Sequence, residues 1–273
     1  MASGIAHIVQ RRGLLAELVR TDLRARDAGT LLGPVWWLLD PLILMLTYWM
    51  LVKIIGYGGQ LEDFPVFILC GLLPTKFMMG SVASSALLLP RRRSLIMAYP
   101  FPTAYLPLSN VCSNLVFFVV SMPVLGVVGV LVFGRPTGPQ AIQLLLLIVP
   151  MTILTAGCSL IAAALGAIVR DLSNIIAYSA RLLTYASPVI YSAETVRTML
   201  SDVGEDGTLG AALFVVYQCN PLALAIEIIR ASIYEPAWIS PVWWAVLCAE
   251  AIAVAFVGLT VYTRCESRVV KMI

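Results

Sequence analysis

Charge is scarce in this sequence. Only 12% of its 273 residues are charged, against 60% hydrophobic. Soluble globular domains carry about a quarter charged residues, so a water-soluble fold is excluded and the composition is that of a polytopic membrane protein. A single histidine, His7, excludes a metal site built on histidines. The lysines number three, Lys53, Lys76 and Lys271, and no GxxxxGK[ST] run is present, so the chain has no loop to cradle a nucleotide's phosphates. A net charge of +3 gives no support to nucleic-acid binding. No His/Asp/Glu cluster gathers on one membrane face, which argues against a membrane-embedded glycosyl or acyl transferase. Internal repeats, the mark of many secondary transporters, are also missing. Most of the six cysteines (Cys70, Cys112, Cys158, Cys219, Cys248 and Cys265) lie in apolar runs, where cysteine behaves as a small hydrophobe. Only Cys219 falls in an expected outer segment, so no disulfide framework is predicted.

What the sequence does have is long apolar runs. A helix of about 20 residues crosses a hydrocarbon core of about 30 Å. Runs at 34–55, 64–89, 104–133, 141–169, 175–190 and 242–262 predict six spans. The first is too long for a signal peptide and no small-residue cleavage site comes after it. Trp36 and Trp37 stand where its charged approach becomes apolar, as rings do at a headgroup boundary. Residues 5–27 interleave apolar and basic side chains, predicting an amphipathic helix along the membrane surface. Between residues 192 and 240, two apolar pieces flank Asn220-Pro221, each too short to span. Merging them would put Arg264, Arg268 and Lys271 outside, against the positive-inside bias. They are read as a re-entrant or outer-face helical pair. Arg11, Arg12, Arg20, Arg24, Arg26, Arg91, Arg92, Arg93 and Arg170 then all fall inside, with both termini cytoplasmic. The predicted fold class is all-α, a single transmembrane domain over residues 1–273.

Several strings stand in a familiar order. They begin with Arg20-x-Asp22-Leu23-x-x-Arg26, Gly29-x-Leu31-Leu32-Gly33-x-x-Trp36 and Pro41-Leu42. Pro65-Val66-Phe67, Gly71-Leu72-Leu73-Pro74, Phe77, Leu95-Ile96, Phe101-Pro102 and Leu106-Pro107-Leu108 come next. The second half adds Arg170-Asp171-Leu172, Ser187-Pro188-Val189-Ile190-Tyr191, Asn220-Pro221-Leu222, Glu227 and Arg230. Together, over about 200 residues, they resemble the polysaccharide-exporting ABC-2 permeases of the Wzm/TagG type. Two departures stand out. The family usually has basic residues around Phe-Pro, where this chain has Met97-Ala98 and Thr103, and an aromatic residue where Lys76 stands.

The resemblance implies a permease in a bacterial cytoplasmic membrane, itself neither an enzyme nor a binder of cofactors. It would pair as a homodimer with two copies of an ABC ATPase subunit, which hold ATP and Mg²⁺. The cargo would be a lipid-linked glycan (O-antigen, galactan or a teichoic-acid-like polymer) passing between the two halves along their first and fifth spans. A permease for a small lipid or drug has the same fold and is the nearest alternative.

Three groups of residues are candidates for function. Arg91, Arg92, Arg93, Tyr99, Phe101, Pro102, Arg170 and Asp171 are expected to meet the ATPase, with Pro100 and Pro102 stiffening the loop around Phe101. Tyr48, Trp49, Lys76, Arg181 and Tyr185 are candidates for the translocation path, although membrane-interface belts and ordinary packing explain such aromatics equally well. A charge at mid-membrane costs on the order of 2.5–3.5 kcal/mol, so Asp40, Lys76 and Arg181 each need a partner or water. Asn220, Pro221, Glu227 and Arg230 mark the outer segment.

Overall fold

The computed structural model describes residues 12–29, 31–33, 35–55, 63–98, 101–132, 134, 138–201 and 208–272. Among these residues every regular element is a helix and no strand occurs. Helix α1 (Arg12–Asp27) continues a predicted amphipathic segment whose start lies outside the described residues. Five long apolar helices can cross a membrane: α2 (Val35–Ile55), α3 (Phe64–Ala86), α6 (Tyr105–Val127), α7 (Ile142–Ile168) and α12 (Pro241–Met272). Short helices α4 (Leu88–Arg91) and α5 (Arg93–Ala98) link α3 to α6. Between α7 and α12 come α8 (Arg170–Ala186), α9 (Ala193–Ser201), α10 (Thr208–Gln218) and α11 (Pro221–Ile233).

The span expected at 175–190 differs from the others. It corresponds to α8, whose 17 residues stand at the lower edge of the roughly 17–25 that can span. Ser173, Asn174, Ser179, Arg181 and Thr184 break its apolar content, and the helix is two-faced instead of uniformly apolar. The sixth candidate by length and composition is the pair α10–α11, bent by 79° at Asn220. The predicted helical pair at this place is therefore found, with a sharp break between its halves.

Helix α3 is the centre of the bundle. It is apolar all round, and such a helix is stable only when covered on every side. Its residues Phe64–Thr75 are all buried, and α2, α6, α7, α8 and α11 pack about it. Helix α2 is just as apolar, yet Ile43, Leu46, Met50, Leu51 and Ile54 lie exposed. Such a surface needs lipid or another protein to cover it. Pro41, Pro74, Pro123 and Pro150 sit inside α2, α3, α6 and α7, and each removes one backbone donor from its helix. All four helices continue through them, and α6 passes into a π-helical stretch, Val128–Val132, after Pro123.

The longest helix, α12, packs along α7. A Cβ added at Gly258 would lie 2.3 Å from the Gly157 carbonyl oxygen, so the two backbones touch and neither position has room for a side chain. Two ends of the bundle result. At the α1 end, Leu18, Leu89, Leu95, Leu106, Leu160 and Tyr262 form a second, smaller core. At the α11 end, Phe67, Ile226, Ile229 and Ile233 belong to the main core.

Candidate functional site

At the α11 end, segments 187–191 and 220–222 converge with Glu227 and Arg230. Pro221 opens α11, where its missing N–H costs nothing, and Asn220 caps the helix by accepting from the Leu222 N–H at 3.1 Å. The Asn220 amide also donates to Ser187 Oγ at 3.0 Å. Two to three turns on, the Arg230 side chain is only 6% exposed. Its Nη1 donates to Glu227 at 3.1 Å and to the Tyr191 carbonyl at 3.4 Å, and Nη2 donates to the Val189 carbonyl at 3.2 Å. The guanidinium lies 3.5 Å from the centroid of the Phe67 ring. A Cβ on Gly71 would stand 2.9 Å from Val189 Cα, so glycine is what lets segment 187–191 lie against α3. Asn220, Pro221, Glu227 and Arg230 thus form one clamp with 187–191, and its chemistry is that of fastening.

The expected ATPase-facing residues gather at the α1 end. Arg92 Nη2 donates to Asp22 Oδ1 at 2.5 Å, tying α1 to the turn between α4 and α5, while Arg91 and Arg93 are exposed. Phe101 is half-buried against the smaller core, so part of its ring is taken up within this chain. Pro102 is exposed. Next to it, the Tyr262 hydroxyl donates to Thr103 Oγ1 at 2.8 Å, binding the loop to α12. Asp171 is exposed in the first turn of α8, where a carboxylate complements the helix dipole. Tyr99 and the Arg170 side chain lie outside the described residues.

Between the ends, a cleft of about 470 Å³ opens among α1, α2, α3 and α6. Asp40 of α2 and Lys76 of α3 form an ion pair on its wall. Arg26 reaches in from α1, donating to Asn114 Oδ1 at 2.9 Å and lying 4.8 Å above the Phe117 ring. Burial lowers its pKa from the ordinary value, with the Asp22 carboxylate opposing that shift. Trp37 meets Phe117 edge-on, at 4.4 Å between centroids. Asn114 in turn donates to Ser81 Oγ at 2.9 Å, so α1, α6 and α3 are joined in sequence.

The other path candidates lie elsewhere. Tyr48 and Trp49 are half-buried on α2, and Lys53 Nζ sits 4.8 Å over the Trp49 ring. Arg181 is exposed on α8, 5.6 Å from the Tyr178 ring, with Tyr185 exposed on the same helix. Lys76 is paired with Asp40, whereas Arg181 lies over Tyr178. Sequence reading misses the Asp40–Lys76 pair, Arg26, Asn114 and Phe117. A usable signal exists for the pair: counted from the connecting loop, Asp40 and Lys76 lie about 22 and 18 Å along neighbouring antiparallel helices. Glu250 on α12 is missed as well, and its Oε2 is buried with no hydrogen-bond partner among the described residues.

No family model matches the chain. It is similar to the O-antigen export system permease protein RfbA of Myxococcus xanthus, with 33% identity over 193 residues, 71% of this chain and 74% of the relative. Two Klebsiella pneumoniae proteins of the same name align at 24% and 23% identity, over 261 and 265 residues, each covering 95% of both chains. The order of strings, the multi-span helical bundle and these alignments converge: the chain belongs to the family of O-antigen export system permeases, which are ABC-2 polysaccharide-export permeases.

Proposed function

We infer that this chain is the membrane permease subunit of an ATP-driven ABC exporter that moves a lipid-linked polysaccharide across the bacterial cytoplasmic membrane. The carrying observation is the near end-to-end alignment, 95% of both chains, with proteins named as O-antigen export permeases. The chain is a transporter component and not an enzyme, and its ABC ATPase partner supplies ATP hydrolysis.

Finer features belong to the same reading. ATP and Mg²⁺ bind on the partner, because this sequence has no phosphate-binding loop. The α1 end is cytoplasmic, supported by the arginines concentrated there, and both termini share that side. Exposed Arg91, Arg93 and Asp171 offer the ATPase polar contacts on that face, and Pro102 adds an exposed apolar ring. Two copies of the chain associate, and two observations support this: the uncovered apolar surface of α2, and the exposed Tyr178, Arg181 and Tyr185 of α8. In such a dimer a two-faced α8 suits a polar lumen better than lipid. The glycan, whether O-antigen, galactan or teichoic-acid-like, passes between the copies.

Reconstitution tests the reading. Proteoliposomes holding this chain and its ATPase should translocate a lipid-linked glycan on ATP addition, and the purified chain alone should hydrolyse no ATP. Robust hydrolysis by the chain alone would refute it.

A further inference from the structure

We propose that the cleft among α1, α2, α3 and α6 binds the phosphate headgroup of a lipid drawn from the adjacent leaflet. The proposal deepens the export reading and rests on it for assigning that leaflet to the cytoplasmic side. Charge comes first. The walls carry two cations, Arg26 and Lys76, and one carboxylate, Asp40. With Asp40 and Lys76 paired, one positive charge is left, on Arg26. Asp22, four residues before it on the same helix, acts on Arg26 but is also engaged by Arg92, so two guanidiniums share one carboxylate. Among the described residues Arg26 hydrogen-bonds a neutral amide, Asn114, and lies over the Phe117 ring, so its guanidinium is positioned with no carboxylate of its own. A guanidinium fixed in that way matches a phosphate's paired oxygens.

The remaining walls define the rest of the ligand. Leu73, Phe77 and Phe118 line the cleft, and the exposed Trp36 stands at its rim. Asp40 lies five residues into α2, about 8 Å along the helix, at the depth where headgroups give way to acyl chains. A soluble phosphate ester would leave the apolar walls uncovered, whereas a lipid satisfies both parts. A volume of about 470 Å³ falls within the usual range for ligand pockets and suits a headgroup with the first carbons of its chain.

The ion pair gives the site a distinctive sign pattern. Side-chain exposures of 37% for Lys76 and 61% for Asp40 show that the fold does not enclose the pair. Lys76 can therefore turn from the carboxylate to an arriving phosphate. Asp40 is then a competitor of the ligand, and Lys76 and Arg26 are its binders.

The test uses the full chain with its ATPase partner in phosphatidylcholine nanodiscs. The probe is a fluorescent polyprenyl pyrophosphate, with dioleoyl phosphatidylglycerol as competitor in a second arm. Lys76→Gln and Arg26→Gln should each weaken probe binding about tenfold or more, the loss expected for one charge-assisted contact. Lys76→Arg should largely retain binding, and Asp40→Asn should tighten it or leave it unchanged. Weak competition by phosphatidylglycerol assigns the site to the cargo's lipid carrier, and equal competition assigns it to bulk anionic lipid; both support a phosphate site. Arg26 lies on α1, outside the spans, so its variant reads the site even where Lys76→Gln fails to assemble. Unchanged binding in Arg26→Gln overturns the proposal. So does an Asp40→Asn loss as large as that of Lys76→Gln, because the pair would then only fasten α2 to α3. If the binding pattern holds while the wild-type complex exports no glycan, the export reading fails and the lipid site stands.

Discussion

Two basic side chains in this bundle sit beside acidic ones under opposite conditions. Arg230 is 6% exposed against 37% for Glu227, whereas Lys76 is 37% exposed against 61% for Asp40. Arg230 also spreads its donors over the carbonyls of Val189 and Tyr191 and lies over Phe67. Backbone carbonyls cannot leave, and the low-dielectric surroundings make each bond expensive to lose. Lys76 instead directs its ammonium at a single carboxylate. That partner is not enclosed by the fold and can be exchanged for another anion. The same pairing of charges therefore serves to fix the fold in one place and remains available to a ligand in the other.

The largest expected effect breaks the clamp. Arg230→Met removes the buried cation and strands Glu227 with two carbonyls, which should cost about 3–5 kcal/mol. Thermal unfolding and the yield of monodisperse protein check it, and an unchanged midpoint would strip the clamp of its structural role. A smaller change sharpens the picture. Asn220→Ala loses the cap of α11 and the bond to Ser187, so a cost of about 1 kcal/mol is expected, seen as a proportionately smaller shift in the same midpoint. Smallest of all, Asp40→Asn should change stability by at most about 1 kcal/mol, as for other incompletely buried ion pairs. A drop as large as that of Arg230→Met would place both pairs in one class and erase the contrast.

Much of the architecture is legible in the sequence because span length is a one-dimensional property. Runs at 34–55, 64–89, 104–133, 141–169 and 242–262 correspond to α2, α3, α6, α7 and α12, with α12 continuing as helix to Met272. An apolar count over 175–190 locates α8 but hides which face each residue occupies. The clamp is legible only as separate strings. Ser187–Tyr191, Asn220–Leu222 and Arg230 share no sequence neighbourhood, and only the packing against Phe67 and Gly71 unites them. The cleft is hidden by a different cause. Taken one at a time, Asp40, Lys76 and Arg181 are three solitary costs, although two of them meet across antiparallel helices. Phe101 reads as a face for a partner, and part of that ring is already committed to its own core.

The extent of α12 has a mechanical consequence. Its 32 residues make a rod of about 48 Å, against a hydrocarbon slab of about 30 Å, so several turns project beyond the lipid as one stiff piece. Along its length the rod bears on α7 where Gly258 meets Gly157, and it is tethered through Tyr262 to Thr103, beside Pro102. A bearing point, a tether and a projecting arm are the parts of a lever. A push on the 101–103 loop would therefore reach the arm through the Thr103 side chain, which Tyr262 and Glu266 of α12 both engage.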